Sequence, residues 1–180
     1  MYAPKYAITN KILRHIGIIE AAKEVIDHAP LLPYYEKEFR KDALVRTVHH
    51  GTHIEGNELD IDQAEKVLSG GDVVARDRDI QEVINYRSVM EYINQLQISN
   101  SQFQISNETI RHLHQLTVAK ILPPEKCGVF RTTQVVIKNS LTQEVTFRPP
   151  AAAAIPFQIE DLLAFMNVPA GEDIHPILLS

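Results

Sequence analysis

The densest polar run in the chain is His49-His50-Gly51-Thr52-His53-Ile54-Glu55-Gly56-Asn57. His49 and His53 are four apart, so on a helix they share a face, and two imidazoles so placed can hold zinc. The zinc-protease pattern also needs a glutamate directly after the first histidine, and that position is His50. No further Cys/His set falls at ligand spacing, since His112 and His114 point away from each other on a helix. A metal site is therefore not expected. Glu55 is the carboxylate with the most chemical promise. It falls at a predicted helix end beside Gly56, where backbone can approach a ligand or another helix. Spacing alone reads it as an exposed surface glutamate.

The other nucleophile and phosphate signatures are thin. Cys127 follows Pro-Pro-Glu-Lys and precedes Gly128; a buried or tolerated thiol is favoured over a nucleophile. Ser69-Gly70-Gly71 lacks the Lys-Ser/Thr and the preceding strand of a phosphate cradle. Arg76, Arg78 and Arg87 read as solvated helix charges.

These residues need elements to hold them. Ile8, Ile12, Leu13, Ile16, Ile19, Val25 and Ile26 recur at helical spacing, and Pro30 and Pro33 stop that helix. A second helix runs from about residue 35 toward 54, with Phe39, Leu44, Val45 and Val48 inward, and Gly56-Asn57 closes it. Asp60 and Gln63 form a capping box for a short helix carrying Ala64, Val67 and Leu68, ended by Ser69-Gly70-Gly71. Residues 79–96 carry a broad apolar face. Residues 97–107 contain QISN twice and read as a polar loop. Asn107 caps the next helix, with Ile110, Leu113, Leu116 and Val118, and Pro123-Pro124 stop it. After that the texture changes. Residues 133–138 and 142–148 are β-rich and joined by Asn139-Ser140-Leu141, which predicts a hairpin. Residues 151–154 read as a small-residue spacer. A last full helix over 156–167 buries Ile159, Leu162, Leu163 and Met166. Residues 174–179 look like the start of an apolar helix, read either as a docked tail or as the mark of a fragment.

Composition bounds the answer. The chain has 180 residues, 44% hydrophobic and 23% charged, which suits one soluble domain or one with a small extension. Its net charge is -5 and its pI near 5.9, which argues against nucleic-acid binding and a polybasic membrane foot. One cysteine permits no intrachain disulfide and makes a reducing compartment the default. Apolar runs are too short to span a bilayer, and the N-terminus lacks a secretory core, so a cytoplasmic location is expected.

Several segments, in order, resemble the Fic (fido) family in the form with a helical domain ahead of the Fic core. Ile54-Glu55-Gly56-Asn57 resembles its inhibitory-helix motif, S/T-x-x-x-E-G/N. Glu82-Val83-Ile84-Asn85-Tyr86 with Tyr92-Ile93 resembles the linking helix, and Ile110 with Leu113-His114 the first core helix. The run Gly128-Val129-Phe130-Arg131-Thr132-Thr133-Gln134-Val135, continued by Phe147-Arg148-Pro149-Pro150, resembles the hairpin called the flap. His175-Pro176 resembles the start of the next helix. Two departures stand out. Gly51 occupies the Ser/Thr position of the motif, with Thr52 one residue off. The catalytic motif HPFx(D/E)GNGRxxR is absent from the sequence.

The resemblance implies a mainly α fold with one β-hairpin: an N-terminal helical domain over 1–96 and an incomplete Fic core over 97–180, the flap at about 132–148. It implies transfer of AMP from ATP, with Mg²⁺, to a Ser, Thr or Tyr hydroxyl of a target protein. This chain would be the regulatory and flap portion, truncated before the motif, inactive alone and without tight ATP or Mg²⁺ binding. Glu55 would be the inhibitory glutamate. Thr133, Gln134, Val135, Val136, Ile137 and Lys138 would form the flap strand that covers nucleotide and holds the target. A homodimer is a further possibility in such proteins. The other reading is a non-enzymatic, antitoxin-like module that offers Glu55 to another Fic protein in trans. No nucleic acid or membrane partner is expected.

Overall fold

A computed structural model describes residues 2, 4–30, 32–99, 104–167 and 175–179. The fold is mainly α with one two-stranded hairpin. Helices α2 (Pro33–Ile54), α3 (Ile61–Leu68) and the first part of α4 (Asp77–Ser99) pack on one another. Val48, Leu59, Ala64, Val67 and Val83 form their core, with Leu44, Ile80, Ile84 and Tyr86 around it. Further along, α4 packs on α5 (Asn107–Thr117), which in turn meets α6 (Ile155–Met166).

Local chemistry sets most boundaries. Thr9 caps α1 (Asn10–Asp27) by accepting from Ile12 N–H. Pro33 is an initiator rather than a stop: it sits in the first turn of α2, where its missing N–H costs nothing. Asp60 and Gln63 exchange both capping-box bonds, at 2.8 and 3.0 Å. Helix α4 starts earlier than its apolar pattern, because Asp77 and Asp79 suit a helix N-terminus. It also runs on to Ser99, so the expected loop is shorter; residues 100–103, including the end of the first QISN, lie outside the described residues. Ser106, not Asn107, caps α5, through reciprocal bonds with Thr109.

Burial departs from the expected pattern at both ends. Helix α1 buries none of its residues, and Leu13, Ile19, Val25 and Ile26 stand in solvent. Residues 34–43 of α2 are all exposed, Phe39 included, because α3 and α4 cover only the later turns, where Val45, Val48 and Thr52 are buried. In α6, Ile159, Leu162, Leu163 and Met166 are half-buried rather than buried. The alanine run is no simple spacer: Ala152–Ala154 form a 3₁₀ turn that leads into α6. The chain's last described element is the short α7 (Pro176–Leu179); Ile174 lies outside the described residues.

Polar side chains lock the helices together. Asn57 is 2% exposed. Its Nδ2 donates to Asp79 O at 2.9 Å and to Glu82 Oε2 at 3.0 Å, and its Oδ1 accepts from Leu59 N–H at 3.1 Å. Arg76 clamps the same turn, donating to Asp79 Oδ2 at 2.9 Å and to Gly56 O at 3.4 Å. Asn85 donates to Thr117 O and Ala119 O, at 3.0 and 2.8 Å, and so ties α4 to the end of α5. Arg87 reaches Leu68 O at 3.1 Å. Arg76 and Arg87 are thus structural, not merely solvated.

The strands are shorter than the sequence suggests: β1 is Ile137–Lys138 and β2 is Val145–Phe147, antiparallel, pairing Ile137 with Phe147 and Lys138 with Val145 around an irregularity. Every residue of both strands is exposed, so no core stabilises a longer ladder.

Two measurements test these locks. Asn57→Ala removes the bonds to Asp79 O and Glu82 and leaves the Leu59 N–H without its partner, and should cost about 2–3 kcal/mol in urea unfolding; a loss under about 0.5 kcal/mol would refute the lock. The Glu108 carboxyl is held below its ordinary 4.5 by its own backbone N–H first and then by the Ser106 hydroxyl. A lowered folded pKa means stability present above the unfolded value and lost as pH falls through the folded one. The Glu108 side-chain titration by NMR should therefore show a midpoint below 4.5, and Ser106→Ala should raise it.

Candidate functional site

Glu55 is the residue at which α2 ends. Gly56 follows with φ +91, a conformation that L side chains rarely adopt, and this turns the chain sharply into Asn57. The Glu55 side chain is exposed and lines a cleft of about 600 Å³. Gly51, Thr52, Arg78, Glu82 and Tyr86 share the cleft, and Val89, Met90 and Ile93 of α4 with Thr117, Val118 and Ile121 give it an apolar wall. Glu82 is already occupied: Oε1 takes Arg78 Nε at 2.8 Å and Oε2 takes Asn57 Nδ2 at 3.0 Å. Among the described residues no ion pair forms to the Glu55 carboxylate. It is the cleft's carboxylate without a described cation.

The glycine at position 51 has a physical cause. A Cβ there would lie 2.5 Å from Cζ and Oη of Tyr86. The aromatic ring fills the space that a Ser or Thr side chain would need. Thr52 does not replace that hydroxyl, because its Oγ1 donates to Val48 O at 3.0 Å one turn back, and the residue is buried. Tyr86 read in sequence as one more apolar residue of α4. Its role as the ring seated on Gly51 was invisible without the α2–α4 packing.

The histidines serve structure. His53 Nδ1 lies 3.0 Å from Asn57 O, so that nitrogen carries the proton. Its ring stacks on His49 at 5.5 Å. Among the described residues no group of three His, Cys, Asp or Glu side chains could hold a metal. His112 meets the Tyr92 ring at 4.6 Å, and His114 Nδ1 accepts from Gly128 N–H at 2.9 Å. Cys127 faces the carbonyls of Val118, Leu122 and Pro123, which do not stabilise a thiolate.

The flap residues divide in two. Ile137 and Lys138 form β1, whereas Thr133, Gln134, Val135 and Val136 precede it outside any strand, with a bend at Thr133. Side chains, not a backbone ladder, hold that stretch. Gln134 Nε2 donates to Pro149 O at 2.9 Å, and Arg131 donates to Thr133 O at 2.9 Å and to Pro150 O. Thr133 and Val135 line a second cavity of about 880 Å³ with Ile110, His114, Phe130, Arg131 and Ile155. Glu55 and the flap therefore line different cavities.

No family model matches the chain. It is 25% identical over 173 residues to "Protein adenylyltransferase fic-1" of Caenorhabditis elegans, covering 95% of this chain and 32% of that protein. It is 22% identical over 143 residues to "Protein adenylyltransferase Fic" of Culex quinquefasciatus, covering 78% and 27%. The crystal structure of a Fic family protein from Desulfovibrio desulfuricans superposes with a TM-score of 0.72 at 23% identity, over 99% of this chain and 50% of that one. Fic-1 of C. elegans superposes with a TM-score of 0.71 at 21% identity, over 95% and 50%. The chain has the fold of these Fic proteins. It spans about a third of the length of the curated Fic relatives it matches. No described helix of the chain is long and apolar enough to cross a membrane.

The Gly51–Tyr86 contact is directly testable. Gly51→Ser should destabilise the chain by about 1–3 kcal/mol through overpacking. In a Tyr86→Ala background the same serine should cost at least about 1 kcal/mol less, since the ring it strikes is gone. Equal costs in the two backgrounds, measured by urea unfolding, would refute the contact.

Proposed function

We propose that this chain is the regulatory and flap-bearing portion of a protein adenylyltransferase that moves AMP from ATP to a Ser, Thr or Tyr hydroxyl of a target protein. The observation that carries this is Glu55: an exposed carboxylate at the end of a helix pinned by Asn57 and Arg76, facing a cleft and making no ion pair among the described residues. Such a group fits a regulatory role. It can pair bidentately with an arginine that would otherwise hold phosphate, and it repels the γ-phosphate of ATP. The names of the curated relatives, both protein adenylyltransferases, support the same activity.

The flap supplies the other half of the reading. Each strand of the hairpin has one unpaired edge among the described residues. An extended target peptide can add to such an edge by backbone hydrogen bonds, which presents its hydroxyl at a fixed distance. Ile137 and Lys138 would pair with it, and Thr133, Gln134, Val135 and Val136 would border the nucleotide.

Mg²⁺ and ATP do not fit the described residues. Among the described residues neither cleft gathers three metal-ligating side chains. In this reading the base and the phosphate-binding groups come from a segment bearing HPFx(D/E)GNGR. In this reading the protein acts in the cytoplasm.

Two assays decide it. The purified chain, incubated with labelled ATP, Mg²⁺ and cell protein, should transfer no AMP; transfer would overturn the regulatory assignment. In a polypeptide that joins this chain to the HPFx(D/E)GNGR segment, Glu55→Gly should raise transfer by about tenfold or more, the equivalent of roughly 1.4 kcal/mol. An unchanged rate removes the role given to Glu55. Suppression of a separate Fic protein by the intact chain, lost with Glu55→Gly, would instead favour the antitoxin-like reading.

A further inference from the structure

We infer that the outer edge of β1 selects its target segment by a two-position pattern: an acidic side chain opposite Lys138 and an apolar one opposite Ile137. This rests on the reading of the hairpin as the target-holding flap, and it names the class of segment that the flap takes.

The backbone fixes which position does what. Asn139 N–H donates to Glu144 O at 2.9 Å, and Ile137 O accepts from Thr146 Oγ1 at 3.1 Å, so both groups face β2. Backbone groups alternate along an antiparallel strand, which turns the N–H and C=O of Lys138, between them, to the outer side. A segment laid along that edge exchanges both bonds with Lys138. Its side chain at that position stands on the same face as the Lys138 ammonium, about 5 Å away at Cβ. The next residue of the segment falls on the other face. There Ile137 and Phe147 are cross-strand partners, each 56% exposed, and offer an apolar pair to pack against.

Charge sets the first preference. Residues 128–150 carry Arg131, Lys138 and Arg148 against Glu144 alone, three cations to one anion and a net of +2 in a chain of net -5. Among the described residues none of these three cations forms an ion pair. Arg131 donates to the carbonyls of Thr133 and Pro150, which leaves its charge uncancelled. On the helices, by contrast, Arg40, Lys41, Arg46 and Arg78 each hold a carboxylate at 2.7–2.8 Å. An acidic side chain on the segment meets that uncancelled field, whereas a basic one meets like charge directly opposite. A nucleic acid is also drawn to cations, but three make a small footprint for it. A phosphate backbone would leave the Lys138 edge and the Ile137–Phe147 pair unused.

Amide NMR titration of the 180-residue chain with short synthetic peptides tests it. In these peptides Val alternates with Thr, and one central Thr is replaced by Asp or by Lys. The Asp peptide should move the Lys138 and Asn139 amide signals and bind at least about threefold tighter than the Lys peptide. That gap should narrow when salt is raised. Lys138→Glu should reverse the order of the two peptides. The position lies on an exposed strand without a core, so unchanged signals from α2 to α4 show that the fold is kept. Replacing the Val residues beside Asp with Asn should weaken binding by a similar factor. Equal binding of the Asp and Lys peptides, or an order that Lys138→Glu leaves unchanged, overturns the acidic position while the hairpin remains a docking edge. Equal binding of the Val and Asn peptides overturns the apolar one. Peptides that move no β1 signal overturn the pattern and the flap reading together.

Discussion

A single buried amide, that of Asn57, sets the geometry around which the N-terminal helices are arranged. Asn57 is almost wholly out of solvent, so each of its polar atoms must find a partner. Its Nδ2 reaches a backbone carbonyl and a carboxylate of α4, its Oδ1 holds the next turn of its own segment, and its carbonyl takes His53. The end of α2, the Gly56 turn and the start of α4 are thereby fixed to one another. Arg76 repeats the lock from the other side through Asp79 and Gly56 O. Glu55 sits between these anchored points, so its backbone has little room to move while its carboxylate stays in solvent.

Helix α4 carries that geometry onward. It packs on α2 and α3 at one end and on α5 at the other, and Asn85 bonds two carbonyls at the close of α5. The Glu55 cleft is therefore built by three helices that share one spine. Gly51 and Tyr86 set how closely α2 rests on that spine, since a ring seated where a Cβ would stand permits an approach that a larger residue forbids. Also on α5, Arg111 donates to Gly128 O at 2.7 Å and His114 accepts from Gly128 N–H, which seats the lead-in to the flap.

The hairpin obeys a different rule. It has no core on either face, so its short ladder relies on side chains at the base and on an Asx-type turn at the tip. There Asn139 Oδ1 accepts from Leu141 and Thr142 N–H at 2.8 and 3.1 Å. An element held mainly at its base, with exposed backbone edges, is suited to pairing with another chain and open to local fraying.

Local signals in the sequence were enough for the elements whose ends depend on neighbouring residues alone. The Asp60–Gln63 capping box, the Gly56 turn and the amphipathic face of α3 were all legible, because each is a contact within one turn of chain. Position alone also made Glu55 conspicuous, and the ordered motifs pointed to the Fic fold. Burial was another matter. The apolar spacing of α1 and Phe39 of α2 looked like core, yet whether a face is covered depends on which other helices reach it, and α3 and α4 reach only the later turns of α2. The strand lengths were overestimated for the same reason, since β propensity is realised only where a surface packs against it. Asn57 and Tyr86 gave no sign of their roles, because each joins α4 to the end of α2, and only tertiary packing brings those two together. Sequence decided the turns and the residue types; the packing of α4 decided which of them meet.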